Sequence, residues 1–215
     1  MNRLDHSRSP RRGTEDAPAR IVVLASGSGT LFQALLDAAK DDYPARIAAL
    51  VTDRECTAEQ RAREHGVPVE RIMPADHATR EAWNSALAAA VHQHSPDLVV
   101  TAGFMRILGE SFLRACNTRI VNSHPALLPS FPGAHAVRDA LAHGVRITGT
   151  TVHLVDDGVD TGPILAQEAV PVMPGEAEPE LHERIKEVER RLLIEVVADV
   201  VTRGVVIDGR KAMIP

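Results

Sequence analysis

Three short segments of the chain hold side chains whose types and spacing could do chemistry. The first is Asn122-Ser123-His124-Pro125-Ala126-Leu127-Leu128-Pro129. Asn122 and His124 alternate along the chain, so in extended backbone both side chains leave the same side. An amide donor and an imidazole aimed at one point can stabilise a developing oxyanion, and the imidazole can also carry a proton near neutral pH. Taken alone, such a pair could equally anchor a loop. The second segment is Asp156-Asp157-Gly158-Val159-Asp160-Thr161-Gly162. Its three carboxylates lack the further oxygen ligands and distant Glu of a calcium loop. A carboxylate placed beside His124 would instead favour the imidazolium and fix its tautomer. The third is Ser26-Gly27-Ser28-Gly29-Thr30, whose glycines admit close backbone approach and whose following helix offers free N–H groups to an anion, a phosphate above all. It is not a dinucleotide fingerprint, because Phe32 stands where the third glycine would be. No Gly-Lys-Ser/Thr follows, so it is not a P-loop. Neither His135 nor His153 shows metal-ligand spacing, so no metal is expected.

These segments need a frame. Apolar runs alternate with helical patterns: Ile21–Ala25, Ile47–Val51, Val69–Ile72, Leu98–Thr101 and Ile120–Val121 read as strands. Between them, helices are expected over 30–39, from the capping box Thr57-Ala58-Glu59-Gln60 to Gly66, over 79–94 and over 110–115. A further helix is expected over 135–143. Residues 147–155 and 164–170 read as strands with no helix between, hence antiparallel. Leu181, Ile185, Val188, Leu192, Val196 and Val200 form the stripe of a long final helix, with Pro179 near its start and Gly204 at its end. The expected fold class is α/β, a doubly wound, mostly parallel sheet with antiparallel strands late in the chain. Such sheets bind ligands beyond the carboxyl ends of their strands, which points to the loops 26–31, 102–108, 122–133 and 156–162.

Composition narrows the partners. The 215 residues are 44% hydrophobic, 25% charged and only 3% aromatic, with a net charge of −5. That is ordinary globular usage, with too few aromatics to stack bases and the wrong charge to grip nucleic acid. Residues 1–19, rich in Ser, Pro, Arg and Gly, read as a disordered tail, leaving 20–215 as one domain. No apolar run reaches a membrane span, and Cys56 and Cys116 are isolated, which suits a reducing cytoplasm.

The pieces together resemble a known family. Ile21–Thr30, Ala102-Gly103-Phe104-Met105-Arg106-Ile107-Leu108, Asn122–Pro129, and Gly149-Thr150-Thr151-Val152-His153 leading to Asp160-Thr161-Gly162-Pro163 are similar, in order and gaps, to the phosphoribosylglycinamide formyltransferases, the small folate-dependent enzymes of purine synthesis. The resemblance implies a formyltransferase-like Rossmann variant that moves a formyl group from 10-formyltetrahydrofolate to the amine of 5-phosphoribosylglycinamide. It also implies a catalytic group of Asn122, His124 and Asp160. The folate would lie against Met105, Arg106, Ile107 and Leu108, with Asn122, Val155 and Asp156 beside it and Arg80 near its tail. The ribonucleotide would set its phosphate on Gly29, Thr30 and Leu31, with Lys186 and Glu189 reaching phosphate and ribose. The family's usual Gly-Ser-Asn is Gly29-Thr30-Leu31 here, so one side-chain donor must be replaced by backbone or another group.

The same resemblance implies small-molecule partners and no metal, composition and charge argue against nucleic acid and membrane, and a homodimer is the assembly to test. Methionyl-tRNA formyltransferase and formyltetrahydrofolate hydrolase share the Asn-x-His-Pro core but add a tRNA-binding or a regulatory domain, for which 20–215 leaves no room. A non-catalytic folate- or nucleotide-binding module is the rival outside the enzymes.

Overall fold

The structure, a computed structural model, describes residues 13, 14, 17–40 and 42–215. Most of the expected tail lies outside the described residues. The described part is engaged: the Gly13 N–H donates to the Val201 carbonyl at 2.8 Å, and β1 (Ala19–Ala25) already starts at Ala19.

β1 is buried on both faces, which is why it reads as an unbroken apolar run. Ile21, Val23 and Ala25 pack with α1 (Thr30–Ala38) and the long α6 (Glu178–Arg203). Val22 and Leu24 point the other way, toward α3 (Arg80–His92) and α4 (Glu110–Ala115). Helices thus cover both faces, and each fully buried Leu or Phe on them contributes roughly 1.5–3 kcal/mol.

The remaining strands are β2 (Ala45–Thr52), β3 (Val69–Arg71), β4 (Leu98–Thr101), β5 (Arg119–His124), β6 (Ile147–Leu154), β7 (Ile164–Pro171), β8 (Val206–Asp208) and β9 (Lys211–Met213). They form one sheet in the order β3-β2-β1-β4-β5-β6-β7-β9-β8. The first five are parallel, and β6 runs antiparallel to both β5 and β7. The order doubles back at β1–β4, so the loops after β1 and β4 diverge to leave a crevice, the usual ligand site of such sheets.

Three local expectations change. β5 runs on through Asn122, Ser123 and His124, which are therefore strand end and not loop. Helix α2 (Thr57–Glu64) has Cys56 as its N-cap, with no side-chain cap. The Glu59 side chain is drawn instead to Thr52, Arg63 and Arg71, and Gln60 bonds Glu64. The terminal β8–β9 hairpin was not foreseen. Helix α5 (Ala136–His143) and α6 fall where the patterns put them, with Pro179 in the first turn of α6 and Gly204 at its end. Among the described residues, no helix is long and apolar enough to cross a membrane.

Candidate active site

The carboxyl end of β5 fixes the first groups through strand register. Asn122 stands opposite Thr101 on β4 and opposite His153 on β6, so all three side chains share one face of the sheet in one row. The Thr101 hydroxyl donates to Asn122 Oδ1 at 2.6 Å, and Asn122 Nδ2 lies 3.1 Å from His153 Nε2. His153 Nδ1 is 2.9 Å from the Leu154 carbonyl, which can only accept, so the ring proton sits on Nδ1 and Nε2 accepts from the amide. Burial pushes the His153 imidazole below its ordinary value, only partly offset by the Leu154 carbonyl and the charge of Asp160. The neutral ring is the form this network requires. Both ends of the Asn122 amide are thereby assigned, and among the described residues one N–H stays uncommitted.

His124 lies two residues on and is 5% exposed. Its Nε2 donates to the Phe131 carbonyl at 2.8 Å, and its Nδ1 lies 3.4 Å from Asp160 Oδ2. A charge-assisted hydrogen bond is about 2.7–2.9 Å. The longer gap leaves the Nδ1 side open to an atom entering from the cavity. Asp160 Oδ2 also accepts from the Gly133 N–H at 2.7 Å, and Asp160 Oδ1 is 3.8 Å from His153 Nε2, a charge neighbour and not a hydrogen-bond partner.

Asp160 is held by a loop between β6 and β7. Its φ is 54°, as is that of Phe131, a left-handed conformation that side chains adopt at a cost. The loop is tied by Asp156 Oδ1, which accepts from the Gly158 N–H at 3.1 Å and the Thr161 hydroxyl at 2.6 Å. At Gly162 a Cβ would stand 1.7 Å from the Leu154 carbonyl oxygen, so only glycine lets the loop close down on β6.

The anion end is built from the β1–α1 turn. Gly29, at φ 69°, precedes Thr30, the first residue of α1, and a Cβ on it would meet Ala58 at 2.7 Å. The Leu31 side chain is packed into the core, so at that position only backbone faces a ligand. Across from this turn, α6 presents Lys186 and Glu189, three residues apart on one helical face, with His182 a turn before them. Glu189 is 4% exposed. Burial pushes its carboxyl above the ordinary value, against the hydrogen bond from Ser123 and the charges of Lys186 and Arg190.

The other end is the 103–109 loop, pinned at four places. Ser26 N–H donates to the Gly103 carbonyl, Met105 N–H to Ser26 Oγ, Arg80 Nη2 to the Ile107 carbonyl and Gly109 N–H to Asn84 Oδ1. Arg106 turns its guanidinium onto the buried Asp53, 2.7 Å away. Burial would raise the Asp53 carboxyl, but hydrogen bonds from Arg54, Ser26 and Arg106 hold it below the ordinary value. Met105 and Ile107 stay exposed at 65% and 55%.

Both ends and the reactive groups line one cavity of 670 Å³. Gly29, Thr30, Leu31, Met105, Arg106, Ile107, Leu108, Asn122, His124, Val155, Asp156, Asp160, Lys186 and Glu189 all border it. Arg80 does not; it borders an adjoining cavity on the far side of Met105–Ile107, with His77 and Trp83. Among the described residues no cluster of three or more His, Cys, Asp or Glu is arranged to hold a metal.

The model of the formyl transferase family matches residues 19–197. The chain is 59% identical over 203 residues to the phosphoribosylglycinamide formyltransferase of Mycobacterium tuberculosis strain H37Rv, covering 94% of each. It is 35% identical over 174 residues to the enzyme of that name from Bacillus subtilis, covering 80% of this chain and 89% of that one. The chain belongs to the phosphoribosylglycinamide formyltransferase family. Its fold is shared by the crystal structure of glycinamide ribonucleotide transformylase 1 from Symbiobacterium toebii, at a TM-score of 0.89 and 43% identity over 92% of this chain and 94% of that one. That family uses 10-formyltetrahydrofolate as co-substrate.

Several groups at this formyltransferase site escape sequence reasoning. Thr101 and His153 enter only through the register of β5 with its neighbours, which no local pattern encodes. The Phe131 carbonyl and Gly133 N–H are backbone groups, invisible to residue type. Asp53 and His182 lie outside the segments whose spacing suggests chemistry. A signal for His153 did exist in the segment Gly149–His153, where period-2 alternation puts it on the same face as Thr151.

Proposed function

We propose that the chain transfers the formyl group of 10-formyltetrahydrofolate to the amine of 5-phosphoribosylglycinamide, in a single formyltransferase domain spanning 20–215. The observation that carries this reading is the shared cavity: an anion-binding helix start with Lys186 and Glu189, an apolar lip at Met105–Leu108, and Asn122, His124 and Asp160 all border one space. A two-substrate transfer needs this arrangement, since holding both partners in one frame supplies much of the acceleration.

The substrate amine attacks the formyl carbon on N10 of the folate. The carbonyl electrons move to oxygen, and the uncommitted Asn122 N–H and the Nδ1–H of His124 donate to the resulting oxyanion. Loss of one such donor typically costs about 10²–10³ in rate. Asp160 takes the proton released by the attacking nitrogen, through a water molecule. Collapse of the tetrahedral species re-forms the carbonyl and breaks the bond to N10, which leaves with the proton that Asp160 returns through the same water. Gly29, Thr30 and the backbone of Leu31 hold the phosphate with Lys186, and Glu189 accepts from the ribose. Val155, Asp156 and the 105–108 backbone face the pteridine. Arg80, in the adjoining cavity, meets the folate tail as it leaves the lip. The free thiols of Cys56 and Cys116 suit a cytoplasmic home. Exposed Ile147 and Met173, at one end of the β6–β7 pair, support a homodimer.

The test is to incubate the purified protein with 10-formyltetrahydrofolate, with and without the ribonucleotide. Loss of the formyl donor only when ribonucleotide is present is the expected result. No ribonucleotide-dependent loss refutes the reading, and equal loss without ribonucleotide would make the protein a hydrolase.

A further inference from the structure

The strand that ends in Asn122 and His124 has a second face. Ser123, between them, points to the opposite side of the sheet, where its hydroxyl donates to Glu189 Oε1 at 2.7 Å. Both residues are buried, at 7% and 4% exposure, and they are 66 positions apart in the chain. Glu189 nevertheless borders the cavity. A buried carboxylate is costly unless it is hydrogen-bonded, and Ser123 is the protein hydrogen-bond donor that Glu189 has among the described residues. The charged groups that act on it, Lys186 and Arg190, both belong to its own helix, and Arg190 is engaged with Glu183. No charged residue of β5, β6 or α1 enters this balance.

We propose that Ser123 is a positioning residue for the ribonucleotide: its hydroxyl donates to the Glu189 carboxylate and keeps it aimed into the cavity, so that Glu189 accepts from the ribose. This rests on Glu189 as the ribose contact. One strand end then serves both substrates, Asn122 and His124 from one face and Ser123, through Glu189, from the other. The chemistry needs a donor here. A hydroxyl donating to a carboxylate favours the charged, acceptor-only form. A protonated Glu189 would compete with the ribose as a donor. Burial pushes the Glu189 carboxyl up and the Ser123 bond pulls it down, so removing the hydroxyl lets protonation begin at higher pH.

The experiment measures KM for each substrate and kcat across pH in Ser123→Ala, Ser123→Thr and Glu189→Gln. In Ser123→Ala the ribonucleotide KM is expected to rise about tenfold, the scale of a lost hydrogen bond to a charged group. The folate KM and kcat should stay within about twofold, on that same scale. The rise of ribonucleotide KM on acidification should begin at higher pH than in the parent. Ser123→Thr keeps the hydroxyl and should restore both values. An unchanged ribonucleotide KM and pH profile in Ser123→Ala overturns the proposal. So does an equal loss in both KM values and kcat, which would mean a disturbed strand, or a Thr variant as impaired as Ala. Failure of the underlying reading shows separately, as a Glu189→Gln variant with the parent's ribonucleotide KM.

Discussion

Asn122 and Asp160 reach the same cavity by opposite means. Asn122 sits inside the sheet, with β4 on one side and β6 on the other, and its amide is clamped by Thr101 and His153. Asp160 sits on a loop at φ 54°, held by one backbone N–H from Gly133 and by a turn that closes only because residue 162 is glycine. The oxyanion donor is thus built into the middle of the sheet, paired on both sides. The proton acceptor stands where the chain can shift to meet an amine and a water. Buried parallel strands are slow to open, whereas loops with few buried contacts open readily. A donor works best preorganised, while a base that acts through water tolerates some freedom.

The largest expected effect separates charge from geometry at the loop. Asp160→Asn keeps an oxygen for the Gly133 N–H but loses the charge that pairs with His124 and the capacity to take a proton. On the proposed chemistry, kcat should fall about 10³-fold or more, since the proton transfer depends on that charge. Circular dichroism and thermal unfolding should stay close to the parent, because the residue is on a surface loop. Full turnover in this variant would remove Asp160 from the chemistry.

The next effect tests the clamp on the sheet side. His153→Ala leaves one Asn122 N–H without its acceptor, and the amide can rotate. We expect kcat to fall about tenfold, the scale of a misaimed hydrogen bond, with both KM values little changed. His153→Gln, which can still present an acceptor, should recover part of the loss. The pH sign follows from burial. His153 lies below its ordinary value of 6.5 in the folded protein, so the unfolded chain takes up the proton first. Its contribution to stability is therefore complete above pH 6.5 and is lost progressively as pH falls below it. His153→Gln should flatten that part of the acid unfolding curve. Parent-like kcat in His153→Ala would show that the amide needs no clamp.

The same contrast explains what could be read from the sequence. The buried strands β1 and β4 appear as apolar runs because both their faces are covered. The α6 stripe appears because one face of a long helix is core. β5 was cut short at Val121 because Asn122, Ser123 and His124 are polar; a strand that feeds a site loses its apolar signature where it begins to do chemistry. Helix α2 carried a capping-box pattern at Thr57 and Gln60, yet Cys56 is the N-cap and Thr57 already lies in the helix, and the Gln60 side chain donates to Glu64 one turn on. The three-residue strands β8 and β9 are too short to show a period. In the site, Asn122 and His124 could be paired by alternation alone. Asp160 could be told from Asp156 and Asp157 only by resemblance to a family, since spacing does not say which carboxylate of a loop turns inward. The row Thr101–Asn122–His153 depends on register between strands distant in the chain, which no segment of the sequence carries by itself.

The smallest expected effect sharpens the comparison most, because it asks whether the clamp is redundant. Thr101→Val removes the hydroxyl that donates to Asn122 Oδ1 at 2.6 Å while keeping the branched shape at the carboxyl end of β4. Asn122 would still be fixed through Nδ2 by His153. If two anchors hold the amide more tightly than the chemistry needs, kcat should fall only about two- to fivefold, a fraction of one hydrogen bond's worth. If the anchors act as one network, the double variant Thr101→Val with His153→Ala should lose more than the product of the single losses, a coupling that a double-mutant cycle on kcat measures directly. A Thr101→Val loss as large as that of His153→Ala would mean that the amide has no spare support. Asn122 would then stand no more firmly than Asp160 does on its loop, and the division between a rigid donor and an adaptable base would fail.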